Sequence, residues 1–561
     1  MFPSEIIQTA ADDPESDVER TVVLINPYRD WSTNDHEAVI SARLQSLGYR
    51  VVYVTCTGDL AACDRFWFNA YQRRRSAHDC LDCQNWCQRQ ESKITGTRVG
   101  LKEFLTDEDR QAISLWAADI PMSIWTSSTF DGFPVGHWAM ASVGTHLREL
   151  PVRADNWEGL SIARDTLHAT ATSIRAARNL IERLKPAAMV VFNGRFCSAR
   201  PFLELSRAAG IPVLGHESGD RTREDCRLLP DSSVSGRGYW DKLAMLARKR
   251  SLTGEEAFAV NDWIVRRFHD PTLPIRYAST DTSTESPWPE SGLRILVVPS
   301  SNDEIIEVDG WDRPGFGSLE SFLAWVTACA EVEPAVSVVV RAHPNLALDF
   351  AWGPSAAGLS LYQRLAQSAP PNVRVIHAGE KESTYSYLRG ADLVVSDFSL
   401  MALEAAALGL PSIAVGRARY WQAGCVATVE NKVRPWSELV SHARSFVSDD
   451  TIARARRCMW NHFFGAEFPL DTNADQLRRQ DLGDAVERWT KDGSFWWDDY
   501  ANLMDDAAPQ PDETVDLRPA IESSRSTFAL VSEAEKENLL RHTITGASRR
   551  IKRAARVLVR G

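Results

Sequence analysis

Between Val336 and Gly416 the chain carries three buried-strand signals, each a short run dominated by apolar residues and closed by a few small or polar ones. Val336–Val340 ends in Arg341-Ala342-His343-Pro344. Asp392–Val395 ends in Ser396-Asp397-Phe398-Ser399, and a third run ends at Gly416. Such runs, rich in valine and without polar alternation, suit strands covered by helices on both faces, the condition of a parallel α/β sheet. In such sheets ligands bind outside the carboxyl ends of the strands. The three polar clusters are therefore expected on one edge, with the character of a phosphate and nucleotide site.

The local chemistry supports that expectation. Met401–Leu408 is a run of strong helix formers stopped by Gly409 and Pro411. Ser399 is the expected N-cap, which would turn its hydroxyl and the first-turn amides toward the crevice. Unpaired N–H groups and the helix dipole attract phosphate there. Glu404 follows about one and a half turns later, where a carboxylate can accept hydrogen bonds from a ribose. Arg341 and His343 supply a cation and a hydrogen-bond donor, and Pro344 fixes the loop that presents them.

RAHPN, followed by STYSYLRGADLVVSDFSLMALEAAALGLPSIAVG, resembles the donor half of GT-B glycosyltransferases of bacterial surface polysaccharide synthesis. Its His-Pro element resembles that of capsule Kdo transferases, bacterial sialyltransferases and teichoic-acid glycerophosphotransferases. The Glu404-Ala405…Gly409-x-Pro411 element is shared more widely, including with nucleotide-sugar 2-epimerases. The resemblance covers roughly residues 290–425. Upstream, NGRFCSARPFLELSRAAGIPVLGHESG resembles a segment of capsule-type transferases. It implies a nucleotide-sugar site made by Arg341, His343, Pro344, Thr384, Ser396, Ser399 and Glu404, with Ser301, Asp303 and Glu304 in the first strand-end loop of that half. It implies a CMP-linked donor through the His-Pro element, or a UDP-linked one through the Glu404 helix, with no further cofactor.

Composition sets the frame. A chain of 561 residues exceeds one core and suggests two or three domains. The net charge of −12 argues against a general nucleic-acid binder. No apolar run approaches the ~18 residues of a membrane span, and residues 1–20 form an acidic leader without the apolar core of a secretion signal. A cytoplasmic enzyme is expected.

Residues 21–280 read as an N-terminal Rossmann-like acceptor domain. Val22–Asn26, a helix to Leu47 and Val51–Thr55 open a parallel sheet. A helical insertion rich in Cys and Trp is expected over about 60–130. Ala188–Phe192 ends at Asn193-Gly194-Arg195, and Ile211–Gly215 ends at His216-Glu217-Ser218-Gly219-Asp220. Asn193 and Arg195 should line the cleft. Glu217 is the expected general base, because a carboxylate in a glycine-flanked strand-end loop can be partly desolvated; Asp220, His216 and Asp35 are the other candidates. Residues 290–500 read as the donor domain, 501–538 as an acidic linker and 539–561 as a basic amphipathic helix. That helix carries Arg541, Arg549, Arg550, Lys552, Arg553, Arg556 and Arg560, and suits an anionic membrane surface.

Ten cysteines in a cytosolic chain should be reduced. Most read as small buried hydrophobes. Cys80, Cys83 and Cys87 form a C-x2-C-x3-C run that lacks the second pair of a strong zinc motif, so no metal is assigned there. The reading is a GT-B-like α/β protein, two Rossmann-like domains facing a cleft. It would move a sugar from a nucleotide-sugar to an oligosaccharide or lipid-linked glycan acceptor. A 2-epimerase on the same fold and a non-catalytic capsule assembly or export factor are the competing readings.

Overall fold

A computed structural model describes residues 20–27, 34–64, 77–148, 151–222, 224–269, 287–305, 312–347, 354–470 and 481–527. Residues 1–19 of the leader, most of the expected 270–290 linker and the basic tail at 539–561 lie outside them.

Thirteen strands among the described residues form two sheets. The first holds β1 (Thr21–Asn26), β2 (Arg50–Thr55), β3 (Thr97–Gly100), β4 (Ala188–Phe192), β5 (Val213–Ser218), β6 (Cys226–Pro230) and β13 (Glu467–Phe468). The second holds β7 (Arg294–Val298), β8 (Ser337–Arg341), β9 (Val373–Ile376), β10 (Leu393–Ser396), β11 (Ser412–Ala414) and β12 (Ala427–Thr428). The orders are β13-β6-β5-β4-β1-β2-β3 and β12-β11-β10-β7-β8-β9. All pairings are parallel except β5–β6 and β6–β13. Counting from each domain's first strand, both sheets contain the doubly wound order 3-2-1-4-5, which reverses beside that strand and opens a crevice there. The expected α/β class with two Rossmann-like domains is what the chain forms. Valine and isoleucine dominate the central strands because helices bury both faces of each sheet.

Three expected boundaries move. The insertion is not wholly helical: after the helix Ala77–Gln90, β3 joins the sheet beside β2. The first domain does not end at 280, and the second does not run unbroken to 500. The helix Gly254–Arg267 shares one apolar core with Leu296, Val394 and Leu403 of the second domain. Past Trp460 the chain returns to the first domain, where β13 pairs with β6 and Leu482, Val486 and Trp489 pack with Ile40 and Leu44. Two-residue β13 carries no period of its own, so sequence patterning cannot show it.

The described part of the expected acidic linker, residues 501–527, is also docked structure. Glu513, fully buried in the short helix Pro511–Thr514, accepts from Arg457 Nε at 2.8 Å and Nη2 at 2.7 Å, and from the Leu252 amide at 2.6 Å. Arg457 also donates to the carbonyls of Ala507 and Ala508. One buried bidentate pair thus fastens the segment to the helix Asp449–Trp460 and the turn before Gly254–Arg267. Glu513→Gln leaves a buried guanidinium without its counter-charge, an expected loss of about 3–5 kcal/mol. A urea titration of this variant beside Arg457→Met/Glu513→Leu measures it; the double variant, which removes both charges, is expected to recover most of the loss.

Candidate active site

The second sheet reverses between β7 and β10, and their carboxyl ends are bound together. Asp397, fully buried, accepts from the Ser300 amide at 2.8 Å and from its neighbour Phe398 at 2.6 Å. Arg313 pairs with the same carboxylate through Nη2 at 2.7 Å and Nε at 3.1 Å, lies over the Phe398 ring and donates to Asn302 Oδ1 at 3.2 Å. Sequence reasoning passed over both residues, although the Asp in Ser396-Asp397-Phe398-Ser399 was the available signal. Ser301 is buried beside this knot. Asp303 and Glu304 fall in the helical turn Asn302–Ile305, and their side chains lie outside those described. The third strand-end residue, Gly416, closes the edge because a Cβ there would sit 2.8 Å from the Asp397 carbonyl.

At the end of the neighbouring β8, His343 is half-buried and its Nδ1 accepts from the Asn345 amide at 3.3 Å. In a neutral ring that leaves the proton on Nε2, which makes the imidazole a hydrogen-bond donor. Pro344 begins the short helical turn Pro344–Ala347 that sets this geometry.

Three expected donor-site residues have other partners. Arg341 is buried and its guanidinium donates to the carbonyls of His377 and Glu380, so it holds the loop after β9. Glu404 is buried. Its carboxylate accepts from Tyr385 Oη at 2.8 Å and lies 3.0 Å from Arg267 Nη2, while Arg267 Nε donates to Tyr385 Oη at 2.7 Å. This closed triangle welds the helix Gly254–Arg267 to the second domain. Ser399 is not the N-cap: Leu400 flanks the helix Met401–Ala407 without a side-chain cap. The Ser399 hydroxyl still accepts from the Met401 amide at 3.3 Å, and Ser396 Oγ accepts from the Ser399 amide at 3.0 Å. Thr384 starts the short helix Thr384–Leu388, capped by Ser383.

The first sheet reverses between β1 and β4. Asn193, at the end of β4, takes the left-handed conformation with φ 62°, which Asn tolerates better than most residues. Its Nδ2 donates to Glu217 and its Oδ1 accepts from the Arg195 amide at 3.1 Å. Glu217 lies within β5, which runs on to Ser218 rather than stopping at Gly215. Half-buried, its carboxylate also accepts from the Ser218 amide at 2.9 Å. Half-buried Arg195 lies over the Phe196 ring at 5.6 Å. The loop beyond β4 is pinned by buried Asp64, which accepts from Ser198 Oγ at 2.6 Å and Ser142 Oγ at 2.7 Å. Burial pushes the Asp64 carboxyl up, and those two hydroxyls oppose the shift. Asp35, another candidate base, is exposed and paired with Lys93 at 2.6 Å.

The two carboxyl edges meet. Buried Arg148, at the end of the helix Val135–Leu147, donates to Asn345 Oδ1 at 3.2 Å and to its carbonyl at 3.0 Å, and Ser355 Oγ donates back to the Arg148 carbonyl. Asp220 Oδ2 lies 3.1 Å from Arg419 of the second domain and 3.0 Å from Arg227. Asp220 is therefore engaged in an ion network. Its amide donates to Glu467 at 2.6 Å, and Arg227 pairs with the same carboxylate. Arg419 stacks on Trp240 at 4.2 Å.

Beside this network His462 is fully buried, with Trp240 at 5.1 Å. Burial, together with the positive charges of Arg419 and Arg227, pushes its imidazole down to about 3; burial likewise pushes His146 down to about 4. Unfolded, both rings take a proton below pH ~6.5. Their stabilisation is therefore complete above that pH and is lost as pH falls toward the folded values, at about 1.4 kcal/mol per pH unit for each ring. The melting temperature should drop between pH 6.5 and 4.5, and His462→Phe should flatten that slope; an unchanged slope in the variant contradicts the assignment.

Two doubly wound domains that present their carboxyl edges to a shared cleft constitute the GT-B arrangement. No family model and no curated protein matches the sequence. Among solved structures the chain is similar to KpsC of Thermosulfurimonas dismutans, a beta Kdo 2,4 transferase, at 15% identity over 54% of this chain and 87% of that one, TM-score 0.37. A beta Kdo 2,7 transferase form of KpsC from the same organism gives 18% identity over 48% and 80%, TM-score 0.30. UDP-GlcNAc 2-epimerase from Neisseria meningitidis gives 11% identity over 79% and 99%, TM-score 0.24. Similarity at this level assigns no activity.

Proposed function

We propose that the protein is a glycosyltransferase that moves a sugar from a nucleotide-sugar to a growing bacterial surface polysaccharide. One observation carries the reading. The crevice at the switch point of the second sheet holds Ser301 and the Ser396–Ser399 loop, flanked by a His343 ring whose proton lies on Nε2. Glu217 lies near the carboxyl end of β5 in the first sheet, beside Asn193. In the proposed reaction the acceptor hydroxyl oxygen bonds to the anomeric carbon as the bond from that carbon to the phosphate oxygen breaks. The nucleotide leaves with the bonding electrons and the hydroxyl proton passes to Glu217. His343 Nε2–H and the loop amides stabilise charge on the departing phosphate, where a preorganised donor needs no reorganisation. The donor nucleotide is CMP or UDP, and the acceptor an oligosaccharide or lipid-linked glycan. Arg341 and Glu404 serve in this reading as supports of the donor domain and not as its ligands.

Thermal shift with CMP, CDP, UDP, GDP and TDP tests the donor site, because a ligand of the native state raises stability by mass action. One base should stand out. His343→Ala is expected to weaken that nucleotide by roughly 1.5–3 kcal/mol, the range for a charge-assisted hydrogen bond. Glu217→Gln is expected to keep nucleotide affinity and to lower turnover about 100-fold or more. Unchanged affinity in the first variant and unchanged turnover in the second would sink the assignment.

The basic segment at 539–561 lies outside the described residues, and we place it on the inner face of the cell membrane. Its seven cationic side chains without an acidic neighbour support this. Each is worth about 1 kcal/mol near an anionic surface, and salt screens the attraction. Among the described residues no helix is long and apolar enough to cross a membrane. Deleting Leu539–Gly561 should abolish co-sedimentation with anionic vesicles at low salt while sparing transfer to a soluble acceptor. Full-length protein that ignores such vesicles refutes the placement.

A further inference from the structure

We propose that the first domain binds a zinc ion in a buried site made by His36, His216 and Cys226, beneath the strand ends that carry Glu217 and Asp220. The site is distinct from the cleft and independent of the donor chemistry. One ligand atom from each of the three residues lies within 4.8 Å of the other two, and all three side chains are buried. The topology assembles them from three elements. On the antiparallel β5–β6 pair Ser218 faces Cys226 and His216 faces Leu228. His216 and Cys226 are therefore diagonal neighbours on one face of the sheet. The helix Asn34–Ser46 covers that face, with Ile40 and Leu44 in the same apolar core as Cys226 and Leu228, and brings His36 in its first turn.

The hydrogen bonds select the tautomers that ligate. His36 Nε2 is 2.9 Å from the Glu224 carbonyl, which only accepts, so Nε2 carries the proton and Nδ1 the lone pair. His216 Nε2 is 3.5 Å from Glu37 Oε1, a carboxylate contact beyond ordinary hydrogen-bond length that favours the proton on Nε2. His216 Nδ1 is then a lone pair on a side chain only 1% exposed, with no hydrogen-bond partner. Buried acceptors without donors are rare in folded proteins, and a cation satisfies this one. Glu37 is itself fixed, accepting from Asn26 Nδ2 at 2.8 Å and Tyr53 Oη at 2.9 Å. A carboxylate behind a ligating histidine is the usual outer partner of such sites. Two imidazoles and a thiolate suit zinc rather than magnesium or calcium. Zinc bonds of about 2.0–2.1 Å to nitrogen and 2.3 Å to sulfur set the donors some 3.5 Å apart, a spacing to which the cluster closes on binding. Cys226 loses its thiol proton to solvent as the Zn–S bond forms, and a water fills the fourth position. The cysteine-rich helix Ala77–Gln90 is the competing location. Among the described residues Cys80 and Cys83 join no group of three potential ligands.

The full-length chain, purified without chelator, is analysed for metal by mass spectrometry, then stripped and titrated with Co2+ and with Zn2+. We expect about one zinc per chain, a thiolate-to-cobalt absorption band, and a rise in melting temperature with Zn2+. Cys226→Ser and His216→Gln should each abolish the band. Glu37→Gln should weaken zinc about 10–100-fold, and the combined Cys80→Ser/Cys83→Ser/Cys87→Ser variant should retain it. If Cys226→Ser fails to fold, the cobalt titration of the stripped wild-type chain decides. Stripped, folded wild-type protein that gives neither band nor stabilisation overturns the site. So does a band that survives Cys226→Ser, or one lost in the Cys80/Cys83/Cys87 variant.

Discussion

Asp397 is the residue on which the donor half is built. A fully buried carboxylate is tolerable only if its charge is matched and its oxygens are hydrogen-bonded. Here the Ser300 and Phe398 amides and the Arg313 guanidinium do both. The two amides come from the ends of β7 and β10, so satisfying one charge fixes the separation of the strand ends across the switch point. The Ser396–Ser399 loop then hangs from that joint, and Tyr420 Oη closes it by donating to the Ser399 carbonyl at 2.9 Å. A crevice whose walls are set by a buried ion pair resists collapse when it is empty, which is what a preformed ligand site requires.

The same principle operates across distant segments at Arg267–Glu404–Tyr385, Arg457–Glu513 and Arg227–Glu467. Each joins segments far apart in sequence. Together they fix the helices and returning strand that connect the two domains, where apolar packing alone would leave the angle between the domains weakly specified. Removing one partner from such a pair leaves an uncompensated buried charge. These pairs therefore constrain the chain more than the many exposed ion pairs, which contribute little.

This explains what was legible in the sequence. Wholly apolar runs such as Leu24, Ile25 and Val338–Val340 announce buried parallel strands, and their ends announce one polar edge, because both follow from local pattern. Which way a polar side chain turns at that edge does not. Arg341 and Glu404 have the chemistry of ligand contacts, but the decisive partners are the His377 carbonyl across a strand and Arg267 in another domain. Arg313 and Asp64 had no motif around them. Two-residue β13 and the docked segment at 507–514 depend on tertiary partners entirely. His36, His216 and Cys226 are scattered in sequence and acquire meaning only through the β5–β6 register.

The cleft also couples its two walls. His343, if neutral, carries its proton on Nε2, because Nδ1 accepts from the Asn345 amide. Asn345 is held in turn by two donors from Arg148, whose own carbonyl is held by Ser355. Arg148 takes the left-handed conformation, φ 57°, which a non-glycine residue adopts at some cost where surrounding contacts hold it. The helix Val135–Leu147 thus fixes the tautomer and direction of an imidazole in the opposite domain. The Ser142 hydroxyl of that helix also donates to Asp64 and accepts from the Cys197 amide, holding the loop that follows Asn193. One helix therefore sets the position of both edges, and a shift of that helix moves the donor-side imidazole and the acceptor-side loop together rather than one at a time.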